Sequence, residues 1–196
     1  MIVARTKMGG GRVCIGALSE EGENLRLLSP TCGYQQSALQ IGQLWDVTFN
    51  RCKVTPPHAE DVAVIDQAQR KQALDVKTYV LERVTPLNGT IDQLFDGTIR
   101  FTNSGSGYIS QANGLPGYAT GFWIPSSDLI LEETPRGALY GPRKDYRHLK
   151  YVGFQTQVAS ISAGQLVRVS LAKWWKPQDA DPDFEERCYA QLSGWL

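Results

Sequence analysis

The thirteen residues from Leu139 to Tyr151 interleave cations with aromatic rings. Arg143, Lys144, Arg147 and Lys150 supply positive charge, and Asp145 is the one acid among them. Lysine and arginine give a salt-dependent attraction to phosphate. Aromatic rings give stacking platforms worth roughly 1–3 kcal/mol per base. The combination suits a single-stranded nucleic acid. It assigns Arg143, Lys144, Arg147 and Lys150 to phosphates and Tyr140 and Tyr146, with Tyr108, to bases. The alternative is a solvated loop whose tyrosines pack at their base. A second basic stretch, Thr6 to Arg12, contains Gly9-Gly10-Gly11. It lacks the spacing of a phosphate-cradling P-loop and of a dinucleotide fingerprint. A hairpin turn needing positive φ explains the glycines. Lys7 and Arg12 beside exposed amides could still touch a phosphate, and Arg5 would extend the same track.

Other clusters carry less chemistry. In Lys173-Trp174-Trp175-Lys176-Pro177, neighbouring tryptophans on a strand point to opposite faces. One therefore belongs to the core and the other to the surface or under the tail. Trp45 and Trp123 read as packing residues. Asp179-Ala180-Asp181-Pro182-Asp183 lacks the glycine and terminal glutamate of a calcium loop and reads as a solvated linker. Cys14, Cys32, Cys52 and Cys188 are unevenly spaced, with no CxxC pair and only His58 and His148 to accompany them. Reduced, mostly buried thiols fit better than zinc. No Gly-x-Ser-x-Gly elbow or HExxH motif is present. A dyad of Cys14 or Cys32 with a histidine has no support in the spacing. The expectation is a non-catalytic chain with no metal and no cofactor.

Net charge is zero, from twenty basic and twenty acidic residues, so no overall basic excess points to nucleic acid. The charge is segregated instead. Met1 to Gly16 holds Arg5, Lys7 and Arg12 without an acid, and Arg136 to Tyr151 holds five cations against Asp145. Acids gather at Glu20 to Glu23, Asp128 to Glu133 and Asp179 to Glu186. The field at a face depends on local charge, so a neutral chain can carry a basic face. No run of about 18 apolar residues suggests a membrane span. The N-terminus reads as a strand rather than a signal peptide, and a cytosolic protein is expected.

These residues need elements to hold them. Ile2–Thr6, Val13–Leu18 and Leu25–Leu28 read as a three-stranded meander. Leu44–Val54 follows as a strand, and 61–74 allows a short surface helix. Tyr79–Val84 reads as a strand, and Thr90–Phe95 as a short helix capped by Asn88 or Thr90. Phe101 to Gly121, rich in Gly, Ser and Asn, reads as a module boundary or an ordered functional loop. Strands follow at Phe122–Ile124, Leu129–Glu132, Leu149–Phe154, Gln157–Ile161 and Gln165–Lys173. The apolar tail Cys188–Leu196 should dock onto the body.

An internal echo runs through this pattern. Ile41-Gly42-Gln43-Leu44-Trp45-Asp46-Val47-Thr48-Phe49 returns in outline as Ala163-Gly164-Gln165-Leu166-Val167-Arg168-Val169-Ser170-Leu171. Leu25–Leu28 and Leu149–Val152 echo one another upstream. Such similarity points to a duplicated unit. The expected fold is all-β with minor α: two small antiparallel OB-like barrels in tandem, at residues 1–104 and 105–196.

The stretch Arg5 to Ala17, with Gly42-Gln43-Leu44-Trp45 and Cys188 to Trp195, resembles the bacterial dual OB-containing domain family across almost the whole chain. The resemblance implies two OB folds in tandem and a role in nucleic-acid-directed or anti-phage systems, and it carries over no functional residue. Three partners fit the sequence. The leading one is single-stranded nucleic acid bound without chemistry. The others are a partner protein for which the chain is an adaptor, and a small nucleotide held in the cleft between the barrels.

Overall fold

A computed structural model describes residues 1–29, 34, 39–73, 75–135 and 137–196. Expectations that fall on Cys32, Leu74, Arg136 and the loop residues 30–33 and 35–38 lie outside it. The first sheet begins with the expected meander: β1 (Ile2–Lys7), β2 (Val13–Leu18) and β3 (Asn24–Leu28). Side chains alternate along each strand. Val13, Ile15, Leu25 and Leu27 fill a first core, while Cys14, Gly16 and Arg26 face the other way. β4 (Gln43–Arg51) and β5 (Asp61–Ala73) complete the order β1-β2-β3-β5-β4. β5 runs parallel to β3 and antiparallel to β4.

Residues 61–73 are thus a strand, not the surface helix that their Ala and Ile spacing allowed. Val62 and Val64 point into the first core while Ala63 and Ile65 face solvent, a period of two. Pairing with β3 and β4 on both sides overrides a weak helical pattern. The opposite correction applies next. Residues Val76–Leu81 form α1, where a strand from Tyr79 was expected. Asp75 caps it by accepting the Thr78 N–H at 2.7 Å, an N-cap arrangement that satisfies an otherwise orphaned donor.

The second set of strands starts with β6 (Leu87–Gly89), β7 (Arg100–Phe101), β8 (Gly107–Ile109) and β9 (Thr120–Pro125). The short helix expected near Ile91 is a pair of 3₁₀ turns, Ile91–Gln93 and Phe95–Gly97, with Thr90 at the N-cap. A second meander follows: β10 (Leu129–Thr134), β11 (Gly137–Pro142) and β12 (Leu149–Tyr151). β11 was not expected, because its residues read as part of the basic loop. β13 (Ser160–Ile161), β14 (Val167–Leu171) and β15 (Cys188–Trp195) complete the chain. The order β10-β11-β12-β15-β14 repeats that of the first sheet, again with the last strand parallel to the third. Among the described residues no strand ladder joins β1 to β4 or β10 to β14, so neither five-strand order closes as a full barrel.

The internal echo is therefore structural. It marks corresponding strands of the two five-strand orders: β3 and β12, then β4 and β14. Gly42 and Gly164, at φ 87° and 80°, occupy the same left-handed turn position. The next residue donates its N–H three residues back in both copies: Gln43 to Gln40 O at 3.2 Å and Gln165 to Ser162 O at 3.1 Å. Glycine is the residue that takes this backbone without steric cost.

A second core lies within the second set, around Trp123, Tyr140, Leu149, Val167 and Leu192. A third cluster joins the two: Met1, Val3 and Leu18 pack with Tyr79, Val80, Phe122 and Leu166. The tail docks as expected, since β15 lies between β12 and β14. Strand pairing divides the chain between Ala73 and Leu87, and residues 87–104 already contribute β6 and β7 to the second set. No helix among the described residues is long and apolar enough to cross a membrane.

Candidate nucleic-acid interface

The basic stretch forms a hairpin, β11–β12, whose residues differ sharply in exposure. Tyr140 is 0% exposed. Its hydroxyl donates to Val158 O at 2.8 Å, and its ring lies edge-on to Tyr151 at 5.8 Å. It is a core residue, since Ala138 and Tyr140 alternate inward along β11, and it offers no base platform. Arg147 is also withdrawn. Its Nε donates to Asp145 at 2.7 Å, Nη1 contacts Asp92, and the guanidinium lies 5.6 Å from the Phe101 ring centroid. The Asp145 hydrogen bond, opposed by burial, holds Arg147 above its ordinary range. Arg143, Lys144 and Lys150 remain exposed, and Tyr146 is 64% exposed. Buried His148 holds the tip, with one ring nitrogen 3.1 Å from Ser106 Oγ and the other 3.1 Å from Tyr146 O.

The register of β15 brings two expected residues together. Tyr108 of β8 pairs with Tyr189, and Lys150 of β12 pairs with Gln191. Tyr189 and Gln191 are two residues apart on one strand and so share a face. Cys188, Ala190 and Leu192 point to the core instead. The Tyr108 and Tyr189 rings are 6.2 Å apart, and Trp175 meets Tyr189 edge-on at 6.0 Å. Arg187 lies over Tyr108 at 4.2 Å and over Phe184 at 4.6 Å. Trp175 is 50% exposed, whereas Trp174 packs on the second core and donates to Pro56 O at 2.9 Å. The tryptophan pair splits between faces as expected. Tyr189, Phe184 and Arg187 were missed. The alternation of the apolar tail would have placed Tyr189 outward.

The glycine turn divides its cations too. Gly9–Gly11 form a tight 3₁₀ turn, closed by Met8 N–H to Arg12 O at 2.8 Å. Lys7 and Arg12 are exposed. Arg5 is buried, donates to Gln40 Oε1 and lies 5.2 Å from the Phe154 ring, so it does not extend an open track.

Between the two sheets lies a cavity of about 510 Å³. Asp61 ties its edge together, accepting from Arg26 and from Lys173 Nζ at 2.6 Å. Burial works against the Asp61 carboxylate, but these two cations hold it below its ordinary value. Glu60 bridges the sets by accepting the Ala119 and Thr120 N–H groups at 2.6 and 3.0 Å. Nearby, Cys188 Sγ lies 3.7 Å from His58 Nε2. Burial raises the thiol to about 12 and lowers the imidazole to about 4. That is the reverse of an activated dyad, which needs a thiolate. Burial also raises Cys14.

A family model described as "Dual OB-containing domain" matches residues 1–195. No curated protein and no solved structure matches the chain.

Proposed function

The chain belongs to the dual OB-containing domain family, and from that premise we propose that it is a non-catalytic cytosolic module that binds single-stranded nucleic acid. OB folds bind oligonucleotides on their strand faces and the loops beside them. The observation that carries the reading is the register of β8, β15 and β12. It sets Tyr108, Tyr189, Gln191 and Lys150 on one outward face, with Trp175 against Tyr189. Half-exposed rings beside exposed Trp175 and Lys150 on an outward face are what a strand needs for stacking and backbone contact. Tyr108, Tyr189 and Trp175 take bases. Lys150, Arg143 and Lys144 take phosphates, and Tyr146 extends the platform at the hairpin tip. Lys7 and Arg12 stand on the first sheet's glycine turn as a further phosphate contact.

The test is fluorescence polarisation of labelled single-stranded DNA, single-stranded RNA and duplex DNA at several salt concentrations. Single strands should bind more tightly than duplex. Trp175→Ala and Tyr108→Ala should each weaken single-strand binding by about 5- to 150-fold, the loss of one stacked base. Replacing Arg143, Lys144 and Lys150 together by Ala should flatten the logarithmic salt slope by about 2. Unchanged affinity in these folded variants would overturn the assignment.

A protein-adaptor reading is favoured by one feature. Asp179, Asp181, Asp183, Glu185 and Glu186 crowd the loop that carries Trp175 and Arg187, and acids repel phosphate while suiting a basic protein. That reading predicts no strand binding even at low salt.

A further inference from the structure

The cavity between the sheets is built differently from the open face. The outward sides of β1, β2 and β3 form one wall, with Thr6, Cys14 and Arg26. The outward sides of β14 and β15 form the other, with Arg168, Ser170 and Ser193. Lys7 and Lys173 also line it. Arg168 is only 2% exposed, yet its Nη1 has no hydrogen-bond partner among the described residues. Nη2 of buried Arg26 is unpartnered as well. The guanidinium of Arg168 rests on Gly16, where an added Cβ would come within 2.8 Å of Nη2. Among the described residues its ring partner is Phe122, at 5.4 Å.

Burying an arginine without full hydrogen bonding is costly, and proteins normally pair such a charge. Here buried Arg26 and Arg168 stand against buried Asp61 and Glu60, and exposed Lys173 and Lys7 add two further cations at the cavity's edge. Two guanidinium groups with free N–H donors match the oxygens of a phosphate. The Ser170 and Ser193 hydroxyls, bonded to each other at 2.9 Å, leave one O–H of the pair to donate, while Leu28, Leu171 and Met8 supply apolar surface. The volume falls within the range of small-ligand sites.

We propose that this cavity is a phosphomonoester site, with Arg168 and Arg26 on the phosphate and Lys7 and Lys173 at its approaches. The same chemistry is offered by a free mononucleotide and by the 5′-phosphorylated end of a strand. The cavity adjoins the open face, since Gln191 of β15 belongs to both and Lys7 stands at the cavity's approach. A mononucleotide, too short to lie across the β8-β15-β12 face, tells the two apart.

The test uses the whole chain in calorimetric titrations and thermal melts. The probes are inorganic phosphate, AMP, adenosine, and one oligonucleotide with and without a 5′-phosphate. AMP should bind and raise the melting temperature, and adenosine should leave it unchanged. Both strands bind the open face, so a strand end is the source if the 5′-phosphate tightens strand binding and raises the melting temperature further. Arg168→Met should weaken that binding at least about tenfold, the loss of a charged hydrogen bond. Without ligand it should melt higher than wild type, because an unpaired buried charge has been removed. Lys7→Glu, at an exposed position, should also weaken binding and remains informative if Arg168→Met does not fold. The proposal is overturned if AMP does not bind and the 5′-phosphate adds nothing to strand binding, or if the folded variants bind the phosphorylated probe as wild type does. A ligand-free Arg168→Met that melts lower than wild type, with no probe bound, would make Arg168 a packing residue.

Discussion

β4 and β14 both pair with the last strand in sequence of their five-strand order and follow the same glycine turn, yet they treat one equivalent position in opposite ways. β4 lies at its sheet's edge, and β14 has β9 beyond it. Asp46 of β4 is exposed and pairs with exposed Arg70 at 2.5 Å. Arg168, its counterpart in β14, is buried between the sheets with an unpartnered nitrogen. Both side chains point outward from their own sheet. What differs is what lies outside: water for β4, the other sheet for β14. A duplicated strand thus acquires a new chemical role without a change in its local fold. Docking converts an outward surface position into a cavity wall, and a charge that water would solvate becomes one that only a ligand or partner can satisfy.

Exchanging the two residues should break the comparison most visibly. Arg168→Asp puts a carboxylate between the sheets near Glu60 and should destabilise by on the order of 4 kcal/mol in urea unfolding. Asp46→Arg should leave the unfolding midpoint nearly unchanged, because its site is solvated. Equal effects would mean that the two outward positions are equivalent after all.

The pH dependence of stability should show the same contrast on the cavity side. His58 faces Arg26, Lys173 and Asp61, and burial together with the two cations lowers it from 6.5 to about 4. Between those values the unfolded chain holds a proton that the folded one lacks. Its contribution is therefore complete above about pH 6.5 and is lost as pH falls towards 4. The loss should be on the order of 3 kcal/mol. His58→Gln should flatten the profile in that window, measured by denaturant unfolding at steps of pH. A variant profile parallel to wild type would contradict the burial argument.

The smallest effect should be the most symmetrical. Gly42→Ala and Gly164→Ala each force a side chain into left-handed backbone and should each cost about 1 kcal/mol. Similar losses in thermal unfolding would sharpen the correspondence between the turns. A loss at only one of them would weaken it.

The parts of this fold that were legible in sequence are those fixed locally. Gly42 and Gly164 announce their turns because few other residues fit there. The meander Ile2 to Leu28 is legible because its short apolar strands are punctuated by turns, although both of its faces are buried, Ile2 and Ile15 in the first core and Val3 and Leu18 in the joining cluster. Residues 61–73 were not legible, because their strand character comes from β3 and β4 on either side rather than from a strong local pattern. α1 was missed because its decisive signal is one capping residue, Asp75, ahead of β-branched side chains. At the site, charge density along the chain led to the β11–β12 hairpin, where Tyr140 serves the core and Arg147 is held by Asp145 and Asp92. Arg168 drew no notice because it stands alone among apolar neighbours. Alternation with Val167, Val169 and Leu171 already placed it outward, but only the docking of two sheets shows that outward means buried.

The central claim is that single strands lie across the β8-β15-β12 face, and the most direct measurement is photo-crosslinking of a halogenated single-stranded oligonucleotide followed by peptide mapping. The account predicts crosslinks at Trp175, Tyr108 and Tyr189, with further ones at Tyr146. Crosslinks confined to the β4–β5 hairpin, or none on the β8-β15-β12 face, would contradict it.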